Sequence, residues 1–216
     1  MKETDKQIFE KDAKDYLGVF NRYKIVLDHG EGAYVWDNNG KKYLDLLGGI
    51  AVNVLGHNYK PLIDAISEQA GKLIHVSNLY YTQPQADAAT KLVALSGLGK
   101  AFFCNSGAEA NEGAIKIARK YAHSIASDKS QIITAWDSFH GRTIATLTAT
   151  GQPKYHEGFG PLPDGFSYVH YNTYEELEKM VTEFYEEWKR GSERNLLSEL
   201  IFQIMNCGDL LRMFES

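Results

Sequence analysis

The chain has little cysteine, no excess of positive charge and no long apolar run, and each absence excludes a class of protein. Its 216 residues include only two cysteines, Cys104 and Cys207, too few for a disulfide framework and without metal-site spacing. A formal net charge of −5 gives no basic surface for nucleic acid. No apolar stretch reaches the roughly 18 residues of a membrane span, and the N-terminus lacks the apolar segment of a secretory signal. We therefore predict a cytoplasmic protein that binds no nucleic acid, membrane or metal.

The first hundred residues contain signals for helices and one β-hairpin. Apolar residues at helical spacing predict a surface helix over residues 4–17. The pair Asn39-Gly40, which tolerates the positive φ of a tight turn, lies between apolar runs at 33–36 and 42–46 and predicts a β-hairpin. Pro61 and Pro84 are expected to begin two further helices, because proline is tolerated in the first turn.

From residue 101 onward, short apolar runs alternate with helical patterns. We predict buried strands over residues 101–104, 131–135 and 166–170. A long helix is expected over 109–123, and a capping box of Thr173 and Glu176 is expected to begin another helix. Strands separated by helices predict an α/β layer with a parallel sheet.

Residues 105–112 (NSGAEANE) follow the first of these predicted strands and begin the long helix. Backbone N–H groups at a helix N-terminus bind anions, and the small residues Gly107 and Ala108 permit close approach. The alternative is an ordinary strand-to-helix connection capped by Asn105 or Ser106. The segment matches neither a Walker loop nor the G-x-G-x-x-G fingerprint.

Residues 137–143 (DSFHGRT) follow the second predicted strand. The carboxyl ends of parallel strands are where open α/β sheets bind ligands. Arg142 is suited to clamp a carboxylate with two parallel hydrogen bonds. The alternative is a core Phe139, a hydrogen-bonded His140 and a surface Arg142.

Together, these two motifs resemble the class III pyridoxal-phosphate-dependent aminotransferases, most closely their acetylornithine branch. Further matching stretches lie at residues 48–52, 55–57, 77–79, 151–155 and 158–161. The resemblance covers about residues 18–183 and implies an incomplete α/β fold of fold type I. It implies a helix and hairpin of the family's small domain over residues 1–50, the first part of the large cofactor domain over 51–183, and a tail over 184–216 that does not match.

The resemblance also implies a cofactor, substrates and roles for individual residues. Pyridoxal 5′-phosphate would be bound by Ser106, Gly107, Ala108, Phe139 and His140, with backbone N–H groups of Gly107 and Ala108 on its phosphate and the Phe139 ring stacked on its pyridine. Arg142 would bind the substrate α-carboxylate. The family reaction transfers the δ-amino group of N-acetylornithine to 2-oxoglutarate, which yields glutamate for arginine biosynthesis, and the family is homodimeric. Ornithine, succinylornithine and 4-aminobutyrate remain alternative donors.

The resemblance places the family's Schiff-base lysine, and the aspartate that pairs with the pyridine nitrogen, after the matched region. No lysine of this chain is therefore assigned as the catalytic residue. We expect a truncated form with little activity on its own. The alternative is a non-catalytic fragment that serves as a phosphate-binding, cofactor-binding or association module.

Overall fold

The computed structural model describes residues 3–125 and 130–191. The described residues form two compact units, the N-terminal unit up to Thr82 and the C-terminal unit from Gln83 onward. The domain boundary expected near residue 50 stays a prediction, and most of the tail expected over residues 184–216 lies outside the described residues. Among the described residues, no helix combines the length and apolar character needed to cross a membrane. Cys104 is exposed and free, whereas Cys207 lies outside the described residues.

The N-terminal unit contains three helices and a three-stranded antiparallel sheet. Its elements in chain order are α1 (Glu3–Asp15), β1 (Leu27–Glu31), β2 (Tyr34–Asp37), β3 (Lys42–Leu44), α2 (Gly48–Ala51) and α3 (Lys60–Lys72). The sheet order is β1-β2-β3, so the predicted hairpin is confirmed as β2 and β3. Pro61 lies in the first turn of α3, as predicted. Strand β1 was not predicted, because its sequence LDHGE has no apolar alternation.

The tight turn of the hairpin is stabilised by Asp37. Its carboxylate accepts hydrogen bonds from the backbone N–H groups of Asn39 (2.8 Å) and Lys41 (2.9 Å). Gly40 has a φ of 81°, the left-handed conformation that the Asn-Gly pair predicts. The hydrogen bond from the backbone of Lys41 is the main reason that the pKa of Asp37 lies below its usual range.

The segment that follows β3 is held by His57. The Nε2 atom of this histidine lies 2.8 Å from the Asp45 carboxylate, and its backbone is hydrogen-bonded in both directions to Gly32. The imidazole lies so close to Gly30 that an added Cβ there would be 2.4 Å from the ring. His57 is therefore a structural histidine.

The C-terminal unit is an α/β layer. It contains α4 (Gln83–Ser96), α5 (Gly107–Ile125), β4 (Ile132–Ala135), α6 (Ile144–Ala149), β5 (Phe166–Val169) and α7 (Tyr174–Gly191). Strands β4 and β5 pair in parallel, with Ile132 opposite Phe166, which confirms the predicted parallel sheet. All four residues of β4 are buried. Ile115 of α5 packs on Ile132, with Ala145 of α6 against the same core.

The prediction of a strand over residues 101–104 is wrong. The segment has no regular secondary structure, and Phe102 is 71% exposed. Within the described ranges only β4 and β5 pair in this unit. An apolar run becomes a strand only where another strand supplies hydrogen bonds, and the run itself does not reveal whether one is present.

The capping box predicted for α7 does not form, although the helix does. Instead, the Glu176 carboxylate accepts a hydrogen bond from the backbone N–H of His170 at 2.8 Å. The Thr173 hydroxyl donates to the backbone carbonyl of Tyr171. Glu176 therefore joins the end of β5 to α7 rather than capping its own helix.

Candidate active site

The N-terminus of α5 is capped by Ser106. Its hydroxyl oxygen accepts a hydrogen bond from the backbone N–H of Glu109 at 3.2 Å. The Glu109 carboxylate turns back and accepts a hydrogen bond from the backbone N–H of Asn105 at 2.7 Å. This exchange fixes the entry of the chain into the helix, and it identifies Ser106 as the N-cap.

The next two residues leave their backbone N–H groups available to a ligand. Gly107 and Ala108 lie in the first turn of α5, where N–H groups have no intrahelical acceptor. In the described part of the chain, neither N–H group makes a hydrogen bond. A Cβ added at Gly107 would meet no atom within 4 Å, so the space beside it is open. Two free donors, open space and the positive end of a helix dipole fit a phosphate group.

The segment after β4 lies directly against this helix terminus. Gly141 approaches so closely that a Cβ added to it would lie 2.8 Å from the Cβ of Ala108. The side-chain amide of Asn111 donates to the backbone carbonyl of His140 at 2.7 Å. The Thr143 hydroxyl donates to the Glu112 carboxylate. The structure therefore brings the two sequence motifs together.

Phe139 and Arg142 both lie at the surface of the C-terminal unit. The Phe139 side chain is 55% exposed, so it is not the core residue of the alternative interpretation. The Arg142 guanidinium carbon lies 5.6 Å from the centroid of the Phe139 ring and 5.0 Å from that of Tyr155. An exposed ring and an adjacent cation, oriented by two aromatic faces, suit an aromatic, anionic ligand.

His140 differs from its neighbours because it is only 4% exposed. Its backbone N–H donates to the Thr150 hydroxyl at 2.9 Å, and its Nε2 atom is a buried side-chain atom without a hydrogen-bond partner in the described structure. Burial lowers the pKa of the imidazole, since desolvation disfavours the charged form. His140 remains a predicted cofactor contact.

The burial of His140 predicts a pH-dependent stability. The folded state resists protonation, while the unfolded chain takes up a proton near the ordinary histidine value of 6.5. We expect the free energy of unfolding to fall as the pH decreases below that value, because the unfolded state then binds more protons. Urea unfolding between about pH 7.5 and about pH 5.5 measures this slope.

A His140→Gln variant should have a smaller slope, whereas His123→Gln, at an exposed position of α5, should keep that of the wild type. An unchanged slope in His140→Gln would assign the proton uptake to another group.

Three residues of this site received no role from the sequence: Asn111, Glu112 and Tyr155. One signal for Asn111 was present, because it lies one helical turn before Ile115, which is 3% exposed. A polar residue on the inward face of a helix needs a partner in the packed layer.

Among the described residues, no group of histidine, cysteine and carboxylate side chains is placed to hold a metal ion.

Comparison with known proteins decides the family. The sequence pattern named "Aminotransferase class-III" matches residues 19–199. This chain belongs to the class III aminotransferases. The matched region extends beyond residue 183, where the motifs visible in the sequence end.

Individual relatives agree with this family. Acetylornithine aminotransferase of Methanocaldococcus jannaschii is 53% identical over 171 residues, which are 79% of this chain and 43% of that protein. Among solved structures, ornithine aminotransferase of Toxoplasma gondii has a TM-score of 0.80 at 28% identity, and the match covers 84% of this chain and 43% of that one. PLP, pyridoxal phosphate, partially occupies the active site of that structure. Acetylornithine aminotransferase of Elizabethkingia anophelis has a TM-score of 0.66 at 29% identity, and the match covers 83% of this chain and 41% of that one.

These relatives show how much of the family's fold this chain contains. They are pyridoxal-phosphate-dependent aminotransferases of fold type I, and this class III chain has the same α/β fold in part. The chain spans less than half the length of the relatives that it matches.

Proposed function

We propose that this chain carries the phosphate-binding and carboxylate-binding part of an aminotransferase that transfers the δ-amino group of N-acetylornithine to 2-oxoglutarate and forms glutamate in arginine biosynthesis. The observation that carries the proposal is the convergence, in a class III chain, of the free N–H groups of Gly107 and Ala108 with the segment Phe139–Arg142. The name of the 53%-identical relative favours N-acetylornithine as the donor, over ornithine, succinylornithine or 4-aminobutyrate. It also favours an enzyme over a non-catalytic binding module.

The residues present fit pyridoxal 5′-phosphate. The first turn of α5, capped by Ser106, offers two N–H donors and open space at Gly107 for the phosphate. The exposed face of Phe139 suits the flat pyridine ring and would shield it from water. When bound, this cofactor supplies an electron sink for negative charge that develops on a substrate carbon.

Arg142 has a separate role toward the substrate. Its guanidinium contacts the rings of Phe139 and Tyr155. A carboxylate bound there in bidentate fashion fixes the substrate and presents its amino group in one orientation. Because 2-oxoglutarate also carries carboxylates, the Arg142 guanidinium is available to bind the acceptor as well as the donor.

Cofactor binding by the purified 216-residue protein tests this proposal. We expect saturable binding of pyridoxal 5′-phosphate in isothermal titration calorimetry, with inorganic phosphate as a competitor because both use the N–H groups of α5. Absence of saturable binding, or binding that phosphate does not reduce, would contradict it.

Glutamate formation from each amino donor and 2-oxoglutarate is measured in the same preparation. We expect little turnover from this chain alone, since the resemblance assigns it no catalytic lysine. The affinity of each amino donor for the cofactor-loaded protein therefore decides among N-acetylornithine and its alternatives.

The role of Arg142 gives a further prediction. Arg142→Ala should weaken binding of 2-oxoglutarate to the cofactor-loaded protein by about tenfold, since a hydrogen bond to a charged group contributes about 1.5 kcal/mol or somewhat more. Arg142→Lys should recover only part of the loss, because an ammonium cannot bind in bidentate fashion. Lys116→Ala, at an exposed position of α5, controls for the loss of one positive charge. Equal affinities in the wild type and Arg142→Ala would remove the clamp role.

The proposal also covers the oligomeric state and the cellular compartment of the protein. The family resemblance points to a homodimer, and the low cysteine content points to the cytoplasm. The small molecules involved are N-acetylornithine, 2-oxoglutarate and glutamate.

A further inference from the structure

We propose that Asn111 and Glu112 are positioning residues that fix the segment Phe139–Arg142 against the first turn of α5, and so couple binding of the cofactor ring to binding of its phosphate. This inference rests on the proposed function and extends it to two residues that touch neither group. Three observations support it. The first is the pair of hydrogen bonds that Asn111 and Glu112 make to this segment, called here the two tethers. The others are the exposure of the residues that the tethers hold and the origin of both tethers on the phosphate-binding helix.

The two tethers hold the chain directly after Phe139 and directly after Arg142. Asn111 holds the carbonyl of His140, the residue directly after Phe139. Glu112 holds the hydroxyl of Thr143, the residue directly after Arg142. Between these two points, Gly141 lies against Ala108. The backbone from residue 140 to residue 143 is therefore connected to α5 at both ends.

The Thr143 hydroxyl can serve α5 and α6 at once. It lies 2.6 Å from the hydroxyl oxygen of Thr146 in α6, and when the Thr146 hydroxyl donates in that pair, the single hydrogen of Thr143 is left for the Glu112 carboxylate. Glu112 thus joins the start of α6 to α5. A glutamine at this position retains an acceptor oxygen, while an alanine has none.

Phe139 and Arg142 depend on these tethers because both side chains are exposed. The Arg142 guanidinium contacts the rings of Phe139 and Tyr155, but burial does not fix the side chain of Phe139 or of Arg142. Their placement relative to Gly107 and Ala108 is consequently set by the backbone.

The two tethers originate on the helix that supplies the phosphate donors. Asn111 lies three residues, or just under one turn, beyond Ala108. Removing an Asn111 or Glu112 side chain leaves the first-turn N–H groups of α5 in place but frees the segment that holds the ring. Phosphate binding and ring binding should therefore respond differently to these substitutions.

Titration of the isotope-labelled 216-residue protein, followed by NMR at the amides of Gly107 and Ala108, separates the two responses. The ligands are inorganic phosphate and pyridoxal 5′-phosphate. We expect Asn111→Ala and Glu112→Ala each to weaken binding of pyridoxal phosphate by about tenfold, with the affinity for inorganic phosphate within about twofold of the wild type. Glu112→Gln should restore pyridoxal phosphate binding. Asn21→Ala, at an exposed position of the N-terminal unit, is the matched asparagine control and should behave as the wild type.

Each other outcome overturns the inference. Equal loss of both ligands in the alanine variants indicates general disruption of the helix, and no loss indicates that the tethers do not position the ring. Failure of Glu112→Gln to recover binding removes the acceptor role. Circular dichroism monitors folding, and if Asn111→Ala does not fold, the Glu112 pair decides. A wild-type protein that does not bind pyridoxal phosphate refutes the proposed function as well, whereas wild-type binding with unaffected variants refutes only the positioning role.

Discussion

Replacing Gly141 with alanine is expected to reduce the affinity for pyridoxal 5′-phosphate by at least about a hundredfold, because the segment after β4 could no longer close on α5. The added Cβ would lie 2.5 Å from the Thr146 hydroxyl oxygen and 2.8 Å from the Ala108 Cβ. Gly141 also has a φ of 137°, a conformation that side chains rarely adopt. The Ala108 Cβ is carried directly by the helix backbone, so rotation of a side chain cannot relieve that contact.

Calorimetric titration with pyridoxal phosphate measures this effect. Gly99→Ala provides the matched control, since a Cβ there meets no atom within 4 Å and the residue does not have a positive φ. We expect the control to bind as the wild type does. Wild-type affinity in Gly141→Ala would mean that contact between the two motifs is not required for binding.

Replacing Gly151 with alanine is expected to lower the free energy of unfolding of the C-terminal unit by about 3 kcal/mol, the upper end of the usual range for overpacking. A Cβ at this position would lie 2.2 Å from the Ala135 carbonyl oxygen and 2.8 Å from the Trp136 Cα. Both are backbone atoms of the buried strand β4 or its end. The Gly151 carbonyl also accepts a hydrogen bond from Asp137 N–H at 2.8 Å, so the clash displaces a paired segment.

Urea unfolding followed by circular dichroism measures the loss, and Gly99→Ala is again the control, expected within about 0.5 kcal/mol of the wild type. Because Gly151 is not one of the proposed ligand-binding residues, the variant should be less stable than the wild type at every ligand concentration. An unfolding midpoint equal to that of the wild type would show that β4 can shift to accommodate a methyl group.

Local signals predicted the parts of the fold that local interactions determine. The Asn39-Gly40 turn adopts its hairpin because the required φ and the Asp37 hydrogen bonds lie within a few residues. The helices that begin near Pro61 and Pro84 likewise depend on nearby residues. The segment 101–104 was predicted as a strand and is not one, because pairing depends on distant residues. Glu176 bonds to the backbone of His170 instead of capping its helix, because the end of β5 lies close enough to α7 to offer its carboxylate another donor.

The candidate site divides in the same way. A strand-to-helix turn of small residues indicated the anion-binding terminus at Gly107, and the family resemblance indicated that Phe139 and Arg142 act with it. The contacts that bring these motifs together come from Gly141, Asn111 and Glu112. A sequence shows that such residues are small or polar, but the packing of α5 against α6 decides which atoms they meet.

One aromatic contact at the end of β4 gives the molecule an optical probe of its own. Trp136 stacks on Tyr168 with ring centroids 4.6 Å apart, and it lies three residues before Phe139 along the chain. Indole fluorescence responds to a chromophore bound nearby. With the other two tryptophans, Trp36 and Trp188, replaced by phenylalanine, the emission of this single indole reports ligand entry without any attached dye.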